Sequence, residues 1–275
     1  MRTKNTIYNI FATWLGQFFL IFVTLLSRRI FLQNLGTDYL GVDGLFANIL
    51  SFLSMAELGI GSAITYSLYK PLALNDIEGM KSLMKVYKIS YFVIGVLIFV
   101  AGMILIPFLP YIVSNSNGLD NIGLIYFLFL INTSVSYFFS YKSALIIADQ
   151  KKYIFNINHY IWKIALCIVQ IIAIVKSQNY FAYLILQVTG TVLENCTIAW
   201  IANKRYPWLK EKSTSRLPKD TVKEIKKNTA SMMLNKVGTT LVTSTDNILI
   251  SSFISVAAVG IYGNYTTISK AVENV

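Results

Sequence analysis

The chain has 275 residues, 55% hydrophobic and only 13% charged, with a mean hydropathy of +0.57. The apolar residues come in blocks of roughly twenty rather than in short periodic runs, which excludes an ordinary soluble domain and predicts an all-α, polytopic helical membrane protein. The formal net charge of +11 does not indicate a nucleic-acid partner, because the basic residues are dispersed over connecting segments with no aromatic platform among them.

The first block runs from Ile7 to Leu35, and no small-residue cleavage site follows it, so it reads as a retained span. At about 100° per residue, Asn9, Thr13, Gln17, Thr24, Ser27 and Arg28 form one polar stripe. Arg29 falls on the opposite face with Leu15, Phe18, Phe22 and Leu26, where it is expected to snorkel to the headgroups. The segment LGTDYLGVDG, residues 35–44, reads as an external turn into a second span, Val42 to Leu68, which carries Glu57 on a face with Ser54 and Gly61.

Third and fourth spans follow at Tyr87 to Val113 and Ile122 to Ala148. The fifth, Phe155 to Val175, sets Asn156, His159, Lys163 and Gln170 on one face, and the sixth, Phe181 to Ala202, adds Gln187, Thr191, Glu194 and Asn195. Lys204 to Lys227 is a long hydrophilic connection containing Pro207 and Pro218. Beyond it, a seventh span, Thr229 to Ile254, repeats the polar design with Lys236, Thr239, Thr243, Asp246 and Asn247, and an unfinished eighth begins at Val259. The expected organisation is a six-helix lobe over residues 1–203, a basic cytoplasmic linker over 204–228, and the first two helices of a second lobe over 229–275, the last incomplete. Lysines and arginines crowd alternate connections, so the positive-inside rule places the N-terminus in the cytoplasm.

Sliding the chain by 219 residues sets Gly41 and Gly44 on Gly260 and Gly263, Asn9 on Asn228, and Val23-Thr24 on Val242-Thr243. The offset equals six spans, so the seventh span restarts what the first began. A charged side chain at membrane depth must face protein or water. Two readings stay open for several of them: Glu57 with Arg28, and Glu194 with Lys163, are either ion pairs fixing helix register or parts of a hydrated path, and His159 is either a packing or a proton-coupling histidine. Cys167 and Cys196 have neither CxxC nor metal-ligand spacing. With one histidine, no paired carboxylates and short external loops, no catalytic cluster, metal site or cofactor is expected, and the chain does not read as an enzyme.

The stretch SRRIFLQNLGTDYLGVDGLFANILSFLSMAELGIGSAI resembles the opening of the polysaccharide flippases of the multidrug/oligosaccharidyl-lipid/polysaccharide (MOP) exporter superfamily. TDNILISSFISVAAVGIYGNYTTI resembles their seventh helix and the turn that follows. The resemblance implies two lobes working by alternating access to move undecaprenyl-diphosphate-linked oligosaccharide across the bacterial plasma membrane, beside the polymerase and glycosyltransferases of the same pathway, with Na+ or H+ as the coupling ion. It makes Arg28 the contact to the lipid diphosphate and Asp246 the helix-seven aspartate. Glu57 departs from the aspartate usual at its position. The expected cavity residues are Gln17, Thr24, Arg28, Glu57, His159, Lys163, Glu194, Lys236 and Asp246. A drug or peptidoglycan-precursor exporter of the same fold is the alternative within transport, and a membrane enzyme of polysaccharide assembly is the alternative from another class.

Overall fold

The computed structural model describes residues 2–57, 60–113, 121–211, 223, 225, 227–231 and 245–273. Among these every regular element is a helix: α1 (Arg2–Leu35), α2 (Thr37–Leu53), α3 (Ile60–Leu74), α4 (Ile77–Leu105), α5 (Leu109–Ile112), α6 (Ile122–Ala148), α7 (Lys152–Ser177), α8 (Tyr180–Arg205) and α9 (Val256–Glu273), with residues 245–253 also helical. Five stretches, Tyr8–Leu35, Ile77–Ile112, Ile122–Ala148, Lys152–Ser177 and Tyr180–Arg205, are long and apolar enough to cross a membrane. The chain is an all-α polytopic helical membrane protein.

The helices end where the sequence supplies a residue suited to ending them. Only Gly36 separates α1 from α2, at a φ of 87° that a side chain would strain. Asn75 and Gln178 take the left-handed conformation just past α3 and α7, and Gln150 does so in the turn after α6. Asp76 caps α4 by accepting from the Gly79 amide at 2.9 Å, and Asn179 caps α8 through the amides of Phe181 and Ala182 at 2.8 and 3.2 Å.

The expected second span is not one helix. It breaks after Leu53 into a 3-10 turn, Ser54–Glu57, before α3 begins at Ile60. In LGTDYLGVDG the turn is Gly36 alone: α2 starts at Thr37, so Asp38 and Asp43 are helical. Gly41 and Gly44 serve packing instead, as described below.

The core gathers where α2, α4 and α6 meet, around Phe46, Ile98, Tyr126, Leu130, Leu145 and Ile146, each at most 1% exposed. Phe46 meets the Tyr126 and Phe129 rings edge-on at 5.2 and 5.9 Å. On the other side α1 packs along α7, α7 along α8, and α8 along α6. The α1 face carrying Leu15, Phe18, Phe22 and Leu26 is open to the surroundings, and Arg29 is exposed on it, as the helix phase predicts.

Alternating helix directions sort the charged ends. Asn9 Nδ2 donates to the Gln150 carbonyl at 3.4 Å, the Tyr206 hydroxyl to Asp149 at 2.6 Å, and Lys81 to Glu211 at 2.7 Å. These bonds tie the starts of α1, α4 and α7 to the ends of α6 and α8 at one end of the bundle, which therefore holds Lys70, Lys81, Lys85, Lys88, Lys151, Lys152, Lys204 and Lys210. At Tyr206, burial, then the hydrogen bond to Asp149 and that carboxylate's charge, hold the phenol above its ordinary range and keep it a donor. At the opposite end Tyr180 bonds Asp43, and Ser251 donates to the Ile112 carbonyl at 3.2 Å.

Candidate functional site

The polar stripe of α1 divides into two halves with different neighbours. In the half nearer the basic end it is spent on helix pairing. Asn9 accepts from the Tyr153 amide at 2.6 Å, Asn156 donates to the Thr13 hydroxyl at 2.7 Å, and Tyr160 donates to Gln17 at 3.4 Å. A Cβ at Gly16 would overlap the Tyr160 ring, so the α1–α7 approach there depends on glycine. Gln17, expected in the cavity, therefore belongs to the α1–α7 seam.

The other half of the stripe opens on a cavity of about 210 Å³ between α1, α2, α7 and α8. Thr24, Ser27 and Arg28 line it from α1, Asp43 from α2, Lys163 and Gln170 from α7, and Tyr183 and Gln187 from α8. Three of the expected residues, Thr24, Arg28 and Lys163, thus come together here. Gln170, 3% exposed, donates to Gln187 Oε1 at 2.9 Å and to the Tyr183 carbonyl at 3.2 Å, which fixes one wall. Asp43 accepts from Tyr180 and lies close enough to Arg28 for their charges to attract.

Arg28 also reaches α9. Its Nε donates to Asn264 Oδ1, and its Nη2 lies 3.4 Å from the Gly260 carbonyl. A Cβ at Gly263 would stand 2.8 Å from that Nη2. The guanidinium is thus clasped between the cavity and α9, which lies beyond the hydrophilic connection.

The α2–α9 contact beside it is reciprocal. A Cβ at Gly41 would overlap the Val256 carbonyl, and a Cβ at Gly260 would lie 2.9 Å from the Thr37 carbonyl. The 219-residue shift carries Gly41 to Gly260 and Thr37 to Val256. Each repeat therefore presses its glycine on the other's helix start, which is the pattern a two-fold axis produces. The repeat seen in the sequence is the interface itself.

Other expected residues lie elsewhere. Glu57 does not meet Arg28. It accepts from Tyr91, with Tyr137 beside it, in a separate 630 Å³ pocket framed by α3, α4 and α6 and lined by five tyrosines, Tyr66, Tyr69, Tyr87, Tyr91 and Tyr137. Arg28 lies beside Asp43 near the start of α2, whereas Glu57 follows past its end, about 20 Å further along the helix axis. Glu194 pairs with His159 (Nδ1 to Oε1, 2.7 Å) and not with Lys163. Asn158 and Thr197 extend that contact, with Thr197 donating to Asn158 Oδ1 at 2.8 Å. Asp246 is exposed and accepts from Tyr262 at 3.0 Å, away from the cavity lining. Lys236 lies outside the described residues. Cys167 lines the Arg28 cavity and Cys196 is exposed, both as free thiols.

Asp43, Tyr180 and Asn264 complete the Arg28 site, and sequence reading did not select them. The missed signal was periodicity: Leu40, Asp43 and Gly44 continue a helical phase through what looked like turn chemistry.

No family model matches the chain, and no curated protein matches it. A solved structure described only as "protein A" superposes on it with a TM-score of 0.64 at 14% identity, covering 98% of this chain and 61% of that one. At that identity the likeness concerns the fold alone, and the chain spans about three-fifths of that protein's length.

Proposed function

We propose that the chain belongs to a transporter that flips a lipid-diphosphate-linked oligosaccharide across the bacterial plasma membrane, with its basic end in the cytoplasm. The observation that carries this reading is the cavity shared by Arg28 and Lys163. Two cations, two amides and three hydroxyls meet at membrane depth, with Asp43 as the one carboxylate in the lining. Asp43 offsets only one of the two positive charges, so the lining still favours an added anion. A diphosphate supplies that charge, guanidinium matches its oxygens in a planar fork, and the Gln, Thr and Ser side chains suit sugar hydroxyls.

Arg28 also bonds α9, so its contacts differ between a state in which α2 and α9 touch and one in which they part. That couples ligand charge to the α2–α9 contact, as alternating access requires. The polymerase and glycosyltransferases that would make and consume such a substrate are the expected partners, and a Na+ or H+ gradient the expected driving force.

The test uses the full-length protein in proteoliposomes and follows appearance of the lipid-linked oligosaccharide in the far leaflet. Arg28→Ala should abolish transfer, Arg28→Lys should keep a fraction, and Lys163→Gln should reduce it. Normal transfer in all three, with loss in Arg29→Ala, would sink the proposal. Stimulated efflux of a cationic drug by the same preparation, with no oligosaccharide transfer, would favour the drug-exporter alternative.

A further inference from the structure

At the basic end of the bundle, a cleft of about 450 Å³ lies between the first turns of α4, the α6 residue Tyr141 and the 3-10 turn Pro207–Lys210 that follows α8. Lys81, Lys85 and Lys88 enter it from α4 at positions i, i+4 and i+7, one face of the helix, and Lys210 enters from the opposite wall. Met84, Tyr141, Trp208 and Leu209 form its apolar lining.

Charge within the cleft is out of balance. The carboxylates of Glu78 and Glu211 both bind Lys81, at 2.8 and 2.7 Å. Lys85, Lys88 and Lys210 form no ion pair among the described residues. Lys88 also faces Lys142 closely enough for the two to repel. The Lys81–Glu211 bridge holds the 3-10 turn against α4, so the cleft is pinned by one lysine while the others keep their charge for something else.

The same face of α4 then turns apolar. Ile89, Phe92 and Val96 continue the helical row that starts at Lys85, and they are 54%, 58% and 40% exposed. Ammonium groups followed along one helix face by an exposed hydrocarbon lane are complementary to an amphiphile with an anionic head, not to a soluble anion. Interfacial Trp and Tyr beside the lysines mark the headgroup level.

We infer that this cleft is a binding site for an anionic glycerophospholipid, its phosphate among Lys85, Lys88 and Lys210 and an acyl chain along Ile89, Phe92 and Val96. The site is separate from the Arg28 cavity and does not depend on what the protein transports.

The experiment is lipid retention by the full-length protein in nanodiscs of phosphatidylcholine with added phosphatidylglycerol, read by native mass spectrometry. Wild type should retain phosphatidylglycerol over phosphatidylcholine. The triple variant Lys85→Gln, Lys88→Gln, Lys210→Gln should lose at least about tenfold of that preference, at roughly fivefold per lysine near an anionic surface. Lys70→Gln, Lys152→Gln, Lys204→Gln removes equal charge from the same end outside the cleft and should keep it.

Lys210→Glu alone, on the turn outside the long helices, should lower the preference even if the triple variant folds poorly. Equal loss in both triples, or no preference in wild type, would overturn the site. Displacement of phosphatidylglycerol by millimolar glycerol phosphate, or by one equivalent of a polyprenyl diphosphate, would overturn the assignment of its occupant.

Discussion

Replacing Gly41 with alanine puts the α2–α9 contact to a quantitative test. A Cβ at Gly41 would sit 2.7 Å from both the Val256 carbonyl carbon and Cγ1, and closer still to the carbonyl oxygen. Ordinary contact begins near 3.4 Å and the oxygen stands at 2.0 Å, so α9 must retreat by about 1.4 Å, and overpacking of that kind costs about 1–3 kcal/mol. If the contact opens and closes, the same energy shifts its equilibrium roughly 5- to 150-fold toward separation. Where it only stabilises the fold, thermal midpoints should fall by about 2–10 °C.

Both effects can be read on one preparation. Melting is followed by intrinsic fluorescence, and proximity by disulfide formation between cysteines at Gly44 and Val259, whose side chains would meet across the contact. Gly41→Ala should lower the melting point and slow the cross-link. Gly260→Ala should do the same less strongly, since its nearest neighbours stand at 2.9 and 3.2 Å. Gly123→Ala is the control, because its nearest atom is 3.9 Å away and helix propensity favours alanine. Unchanged melting and cross-linking in both Gly41→Ala and Gly260→Ala would refute the close approach.

Gln170→Leu should destabilise the protein by about 0.6–2 kcal/mol in thermal unfolding, because Gln187 and the Tyr183 carbonyl each lose a donor. Adding Gln187→Leu should restore part of the loss, since one orphaned side chain is removed. Cysteines at Thr24 and Lys163 should react with a water-soluble maleimide, while cysteines at Phe18 and Phe22 stay protected. A cysteine at Thr13 should also be protected, because its hydroxyl is already bound in the α1–α7 seam, and labelling there would count against that seam. Asp76→Ala should cost about 1 kcal/mol and speed hydrogen exchange in the first turn of α4, with no change elsewhere.

Helix facing was legible wherever a span is one unbroken helix. The 100° phase separates Arg28 from Arg29 correctly because α1 runs without interruption from Arg2 to Leu35. It says nothing of what a polar stripe touches, and Gln17 illustrates the limit: an amide facing water and one facing Tyr160 look alike in a sequence. Glu57 does share a face with Ser54 and Gly61, but its pairing with Arg28 fails because phase says nothing of height: it stands about 20 Å along the helix axis from Asp43. Asp43 was missed because glycine and aspartate in LGTDYLGVDG carry the composition of a turn. There the glycines make room for another backbone, a use that shows only once α9 is in place. The internal repeat was visible as a handful of coincident residues, while its reciprocal packing needed three dimensions.

The discontinuity between α2 and α3 sets two consecutive helices in two neighbourhoods. α2 leans on α9, through glycine, whereas α3 is gripped by α4 and α6, where Tyr87 donates to the Gly61 carbonyl at 3.1 Å. Ser54–Glu57 is therefore where the chain passes from the helix that meets the second repeat to the one held by α4 and α6. The carboxylate of Glu57, bonded by Tyr91, marks that passage.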